Sequence, residues 1–303
     1  MDLKTNFLNK DFTNPIVLAS GILGVSTAGM ANTVKNGCGG VTLKTLFKEK
    51  RPGHPNPTMF GTEHYFINAV GLSGSGIENA TEEIRKFKEL SDAPLIGSIG
   101  AGSTDEFVEA TKLINQTPID FLEINISCPN VGTEFGVPFA YSPKAVETIT
   151  SRIKKVSRVP ISIKLAPGVW NISEIAKAAE SAGADAITAG NTVGGMSIDV
   201  RAKHPILHNK VGGVSGPALF PIALKFVYDV YNSVKIPIIG TGGITTGEDA
   251  LAMVMAGARL LGVGSAVYFR GQDVFKQITD EMEAIMKEEN INSLDEIIGC
   301  AHK

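Results

Sequence analysis

Three sets of residues in this chain could do chemistry that a fold does not itself require: a cysteine at 128, lysines at 44 and 164, and asparagines at 68, 125 and 191. Cys128 stands in Ser127-Cys128-Pro129-Asn130, directly after an alternating apolar run, Phe121 to Ile126, that reads as a strand. The residues that follow hold Gly132, Gly136 and Pro138 among aromatics, a composition suited to a loop folded over a site rather than a tight turn. A thiol under such a cover is a candidate general base or nucleophile; the competing reading is a packed, inert thiol, since free cysteine is often buried. Lys44 and Lys164 each close a run of apolar strand residues, so both ammonium groups are expected over one opening, where they need a phosphate, a carboxylate or an anionic ring nearby. The three asparagines offer paired donors and acceptors that match a planar imide or amide edge, although each alone also suits a turn.

Positioning these groups requires a repeating frame, and the apolar pattern supplies one. Strands are predicted over 16–19, 41–44, 95–99, 121–126, 161–164, 186–189, 236–239 and 260–263, with helices between them over 30–36, 77–90, 103–114, 142–156, 171–183, 217–233 and from 246. Helix starts are marked by Ser103 with Glu106 in a capping-box pattern, by Ser142-Pro143, by Asn171 with Glu174, and by Thr246. A small hairpin is expected in the polar start, and a last amphipathic helix over 273–289. Residues 46–76 and 193–216 read as insertions without elements of their own. Eight strands, each followed by a helix, predict an α/β fold of the (β/α)8 TIM barrel type, one domain over 1–303, with insertions after strands 2, 4 and 6. The segments 181–190 and 255–264 share a helix, glycine stop and buried strand, a faint trace of repetition. A doubly wound open sheet is the alternative; it is disfavoured because no GxGxxG follows the first strand and no composition break marks a second domain.

Composition narrows the function. The 303 residues are 43% hydrophobic with a formal net charge of −3, which excludes a largely disordered chain. No basic cluster points to nucleic acid; Lys48 to Arg51 is short and reads as a solvated loop. No window approaches 18 uninterrupted apolar residues and the start lacks a signal core, so a soluble cytoplasmic protein, with no membrane partner, is expected. Cysteines 38, 128 and 300 are odd in number and far apart, which speaks for a reducing compartment and against a disulfide framework or a zinc or iron–sulfur site. His204 and His208 are separated by Pro205 and form no credible metal pair, and Cys38 and Cys300 read as structural.

In a barrel, reactive groups collect at the C-terminal ends of the strands. Here those ends deliver Ser20-Gly21, Lys44-Thr45, Ser98, Asn125 with Cys128, Lys164, Asn191-Thr192, Gly242-Gly243 and Gly264-Ser265. The last two pairs, in GTGGI and VGSA, follow strands 7 and 8, where barrels commonly hold phosphate on backbone N–H groups; tight strand-to-helix turns also favour glycine. A phosphorylated ligand or cofactor is the expectation.

Taken together, LASG (18–21), LKT (43–45), NAVGL (68–72), INISCPNV (124–131), IKLAP (163–167), GNTVGGMSID (190–199), GGVSGPALFPIAL (212–224) and IIGTGGI (238–244) resemble the flavin-dependent dihydroorotate dehydrogenases over the whole chain. Cysteine at 128 resembles class 1, and the later motifs resemble subclass 1B. The resemblance implies FMN at the barrel mouth and oxidation of (S)-dihydroorotate to orotate in pyrimidine biosynthesis. It implies Cys128 as the base that takes the C5 proton while hydride leaves C6, and Lys164 as the cation beside the reduced flavin. It further implies Ser20, Lys44, Thr45, Ser98, Asn125 and Gly190 beside the flavin and Gly216, Gly242, Gly243, Gly264 and Ser265 at its phosphate. Lys44, Asn68, Ala69, Val70, Gly71, Leu72, Asn125, Asn191 and Thr192 would bind substrate. A thiol must ionise to act as a base, and a lysine-rich, amide-lined site lowers its pKa. A homodimer, with a second subunit carrying FAD and a 2Fe–2S cluster, is also implied, since this chain has neither cluster cysteines nor a dinucleotide fingerprint.

The chain departs from the family pattern at Ser73-Gly74-Ser75-Gly76, Ser98, Gly132 and Gly168. The alternatives are a dihydropyrimidine dehydrogenase-like flavoprotein acting on dihydrouracil, and a non-redox phosphate-binding barrel.

Overall fold

The structure is a computed structural model that describes residues 2–127, 139–169 and 171–303. Eight strands close into a parallel barrel: β1 (Ile16–Leu18), β2 (Gly40–Thr42), β3 (Leu95–Ile99), β4 (Phe121–Asn125), β5 (Ile161–Leu165), β6 (Ala186–Ala189), β7 (Ile238–Thr241) and β8 (Leu260–Val263), each paired with its neighbours in sequence and β8 with β1. The helices are α1 (Thr27–Lys35), α2 (Ile77–Leu90), α3 (Thr104–Ile114), α4 (Pro143–Lys154), α5 (Ile172–Ser181), α6 (Phe220–Tyr231), α7 (Gly247–Met255), a short α8 (Ala266–Arg270) and α9 (Val274–Glu288). The (β/α)8 expectation holds, with strand and helix bounds moved by a few residues. The seventh strand moves most: it begins at Ile238 rather than 236, because Pro237 has no N–H to give to a ladder.

Each helix turns an apolar stripe to the barrel. In α2, Ile77, Ala80, Ile84 and Phe87 are buried at helical spacing while Glu78, Glu82 and Arg85 face out. Three of the four start signals, Ser103, Ser142 and Thr246, work as local hydrogen bonds, whereas the Asn171 side chain caps no N–H of α5. Thr246 accepts from Asp249 N while the Asp249 carboxylate accepts from Thr246 N, a reciprocal capping box. At α3 the box is offset: Ser103 Oγ accepts from Glu106 N at 3.2 Å, but the Glu106 carboxylate takes Gly102 N at 2.7 Å.

The lower end of the barrel is plugged by the expected hairpin, Thr5–Phe7 against Lys10–Phe12. Phe7 and Phe12 meet Phe121 with ring centroids 5.8 and 6.2 Å apart, over Val17, Ile96, Ile239 and Leu260. Asp120 locks this end, accepting from Lys10 at 2.7 Å, Lys88 at 3.1 Å and Leu95 N at 2.8 Å.

The two long insertions are not irregular. Residues 59–61, 66–68, 193–196 and 211–215 build one antiparallel sheet in the order 193–196, 211–215, 66–68, 59–61. Reading 46–76 and 193–216 as lacking elements is therefore corrected. These strands are short and glycine-rich, and the pairing that joins the two insertions, 211–215 to 66–68, spans well over 100 residues, so no local period marks them. Ile67, Ala69 and Leu207 form a small core of their own beneath it. Among the described residues, no helix is long and apolar enough to cross a membrane.

Candidate active site

Strand register determines which polar groups meet inside the barrel. On β4 the alternation puts Phe121, Glu123 and Asn125 on the inner face, and the ladder sets Ser98 beside Glu123 and Asn125 beside Lys164. The interior above the aromatic plug is consequently polar, with Ser98, Glu123, Ser162, Lys164, Thr188 and Thr241 all buried.

These side chains form connected hydrogen bonds. Lys164 Nζ lies 3.3 Å from Glu123 Oε1, which also accepts from Ser98 Oγ at 2.9 Å. Ser98 Oγ is 3.0 Å from Thr45 Oγ1, and Thr45 in turn is 3.2 Å from Ser20 Oγ and receives Asn125 Nδ2 at 3.1 Å. Asn125 Oδ1 accepts from Ser127 Oγ at 2.7 Å, and Ser127 Oγ accepts from Asn191 Nδ2 at 2.7 Å. Residues from the ends of the first six strands thus hold one another in place, as a site needs if its groups are to be oriented before a ligand arrives.

The two lysines sit in different electrostatic settings. Lys164 has the Glu123 carboxylate, so its counter-charge comes from the chain itself. Lys44 is half-buried and its Nζ donates to the Ser73 carbonyl and, at 2.9 Å, to Ser73 Oγ, with no carboxylate in ion-pair range among the described residues. Burial pushes the pKa of Lys44 below that of a free lysine. An ammonium held only by neutral oxygens is a ready partner for an incoming anion.

Residues 68–72 are strapped beside it. Asn68 ends a strand paired to Gly213, Ala69 O meets His54 Nδ1 at 3.0 Å, and Val70 O accepts from His54 N at 3.0 Å. Gly71 has φ +75° and Leu72 φ +56°, a left-handed conformation that a leucine adopts only where its surroundings demand it. A Cβ on Gly213 would fall 2.1 Å from Thr192 Oγ1, so Thr192 lies directly against the sheet strand that carries Asn68's partner. Asn191 Oδ1 caps Thr192 N at 2.7 Å.

The glycines expected at a phosphate come from three neighbouring loops. Gly216 precedes α6 and lies against Phe269 of α8; Gly242 and Gly243 follow β7 and lie against Ala223 and Phe220 at the start of α6; Gly264 and Ser265 follow β8 beside Ala19 and lead into α8. Gly243, with φ +75°, has no room for a Cβ, which would sit 2.5 Å from Phe220 N. Gly190, at the end of β6, is tighter still, with Thr241 O at 1.8 Å from such a carbon. By contrast, space is open beside Gly21 and Gly168, at the mouth ends of β1 and β5.

Ser20, Lys44, Thr45, Ser98, Asn125, Lys164, Asn191 and Thr192 are therefore brought together as expected. Cys128, Gly132 and the rest of the segment 128–138 lie outside the described residues. Three contributors went unnoticed in the sequence: Glu123, Ser73 and Ser127. Glu123 carried a signal, a charged residue at an inward position of an otherwise apolar strand. Ser73 stood out only as a departure from the family pattern, which says nothing of its carbonyl, and that carbonyl matters as much as its hydroxyl. A cavity of about 360 Å3 lies away from these groups, between Phe47, Lys48, Arg51, Glu106 and Glu109. Among the described residues no group of His, Cys, Asp and Glu could hold a metal ion.

Comparison with known proteins agrees with this geometry. Residues 2–286 match the family model described as dihydroorotate dehydrogenase. The chain is similar to proteins named dihydroorotate dehydrogenase B (NAD(+)), catalytic subunit: 43% identical to that of Methanocaldococcus jannaschii over 99% of this chain and 98% of the relative, 42% to that of Pyrococcus abyssi over 99% of both, and 41% to that of Thermoplasma acidophilum over 99% of both. With a match across nearly its whole length and its inward-facing polar residues connected around the barrel mouth, the chain belongs to the dihydroorotate dehydrogenase family, which is flavin-dependent.

Proposed function

We propose that this chain, acting as one domain over 1–303, oxidises (S)-dihydroorotate to orotate in the cytoplasm, in pyrimidine biosynthesis, with FMN as its flavin. The observation that carries the choice of substrate is Lys44: a half-buried ammonium that, among the described residues, meets only Ser73 oxygens. Dihydroorotate brings a carboxylate to such a cation, whereas dihydrouracil has none, so Lys44 favours the first over the second.

The residues present fit FMN. Gly216, Gly242, Gly243, Gly264 and Ser265 lie on adjoining loops suited to its phosphate, and Ser20, Lys44, Thr45, Ser98, Asn125, Lys164 and Gly190 offer donors, a cation and close backbone to a planar ring. When bound, FMN supplies the hydride acceptor. Asn125, Asn191 and Thr192, with the backbone of 68–72, orient the pyrimidine edges, and Lys44 holds the carboxylate. Cys128 Sγ takes the C5 proton as base; its neighbour Ser127, fixed by Asn125 and Asn191, supports that assignment by limiting where the next residue can start. Lys164 would hold the flavin as a cation beside it, able to offset negative charge on the reduced cofactor.

A second subunit holding FAD and a 2Fe–2S cluster, attached to a homodimer of this chain, would supply the onward electron acceptor. The relatives' name, catalytic subunit, supports a further subunit. The test is orotate formation by the purified chain loaded with FMN and given an artificial electron acceptor. Orotate from L-dihydroorotate and no turnover of dihydrouracil would support the reading; the reverse preference would sink it.

A further inference from the structure

Lys164 and Glu123 are the only buried charged side chains among the described residues. Their side chains are 8% and 4% exposed, 3.3 Å apart, and Glu123's second contact, Ser98, is a neutral hydroxyl. Among the described residues the carboxylate therefore has a single cationic partner, and the pair as a whole is neutral. Register enforces the arrangement: Glu123 stands one inward position below Asn125, and Asn125 pairs with Lys164 across the β4–β5 ladder. A lysine that stabilises negative charge would be strongest with no counter-ion, yet this fold builds one in. The cost of burying both charges is recovered only in part by their attraction, so packing alone does not explain the carboxylate.

We propose that Glu123 is a positioning residue for Lys164, a built-in counter-ion that moderates the positive charge the site presents to the flavin. The inference rests on the FMN reading above. Reduced flavin is anionic, and an unopposed buried cation would hold it so firmly that its electrons would not pass on to a second carrier. Glu123 orients the ammonium upward and offsets part of its field. Ser98 keeps the carboxylate turned toward Lys164 by donating to the same oxygen, Oε1, that the ammonium contacts.

The test is an anaerobic equilibration of the FMN-loaded chain against a redox dye of known potential, in which the reduced dye supplies both electrons to the flavin. In Glu123→Gln the amide oxygen still accepts from Ser98 and Lys164, and only the charge is lost. The equilibrium constant for flavin reduction is expected to rise by roughly tenfold or more, about 30 mV for a two-electron couple. Lys164→Met is expected to lower it by a similar factor. A merely structural role for Glu123 would loosen flavin without favouring its reduced form, so an unchanged or lowered constant in Glu123→Gln would overturn the proposal. If that variant does not retain FMN, Glu123→Met is measured instead; if neither holds FMN, the carboxylate is required to form the site and the proposal falls. Failure of the wild-type chain to bind FMN would instead strike the reading of the site as a whole, and this inference with it.

Discussion

Asn191 Nδ2 lies 2.7 Å from Ser127 Oγ, so the loop leaving the sixth barrel strand holds the residue immediately before Cys128. Ser127 passes the constraint on to Asn125, 2.7 Å away, whose backbone ends the fourth strand. Ser127 is thus held from two strands. Ser127→Ala removes both contacts without changing charge, and should lower kcat for dihydroorotate by about 10–100-fold, as small misplacements of a reacting group do. FMN content should stay near that of the wild type. Steady-state turnover with matched flavin loading checks this, and a wild-type kcat would refute it.

Lys44 should show a conflict between stability and function. Burial lowers its folded pKa, so at neutral pH the folded state carries a cation that water would hold better. A lysine with a depressed folded pKa weakens the fold below that value, and the penalty fades as pH rises through it toward the unfolded pKa of about 10.4. Lys44→Met without ligand should therefore melt at or slightly above the wild-type temperature, by about 1–3 °C near pH 7, with the gap closing as pH approaches 10. The same variant should lose binding of orotate, by roughly 100-fold or more, because a charge-assisted contact to the carboxylate is gone. Melting curves and an orotate titration separate the two effects.

At the other end of the barrel, Asp120 should carry acid sensitivity. Burial pushes its pKa up, but hydrogen bonds from Lys10, Leu95 N and Lys88 outweigh burial and hold it below the usual aspartate value. A depressed carboxylate contributes stability that is present above the unfolded pKa of about 3.9 and lost as pH falls through the lower folded value. Asp120→Asn should cost about 1–3 kcal/mol at pH 7, and the difference from wild type should shrink below about pH 4. Denaturant unfolding at pH 7 and pH 3.5 tests the sign: a gap that widens in acid would contradict it.

How much of this was legible beforehand differs by type of residue. Helices such as 77–90 were readable because one-sided burial imposes a period on them, strands such as 95–99 because burial on both faces leaves a short run without charge, and Thr246 because its cap is a contact within four residues. The rim residues were readable because a barrel delivers its strand ends to one face. The sheet made from 59–68 and 193–215 was hidden, since its strands are short and glycine-rich and its two hairpins are joined by a pairing remote in sequence. Glu123 was hidden for another reason. Its role depends on register with Ser98 and Lys164, and register across parallel strands is not written in any local pattern.

Cys38 separates a structural thiol from a reactive one. Buried in the turn between α1 and β2 and donating to Gly40 O at 2.9 Å, its thiol is pushed up to about 12 by desolvation, against the partial opposition of backbone hydrogen bonds. It should resist alkylation at pH 8 in the folded protein, while the partly exposed Cys300 reacts. Mass spectrometry of iodoacetamide-treated protein should find Cys38 modified only after denaturation. Because its folded pKa lies above the unfolded value, this thiol contributes stability that is full below about pH 8.5 and declines as pH rises toward 12.

The central claim is that this barrel joins a flavin to dihydroorotate, and an anaerobic visible spectrum of the FMN-loaded chain tests it most directly. Adding L-dihydroorotate should bleach the flavin band in proportion to the bound FMN, with orotate formed one for one. A flavin band that persists with L-dihydroorotate, or that bleaches with dihydrouracil alone, would contradict the account.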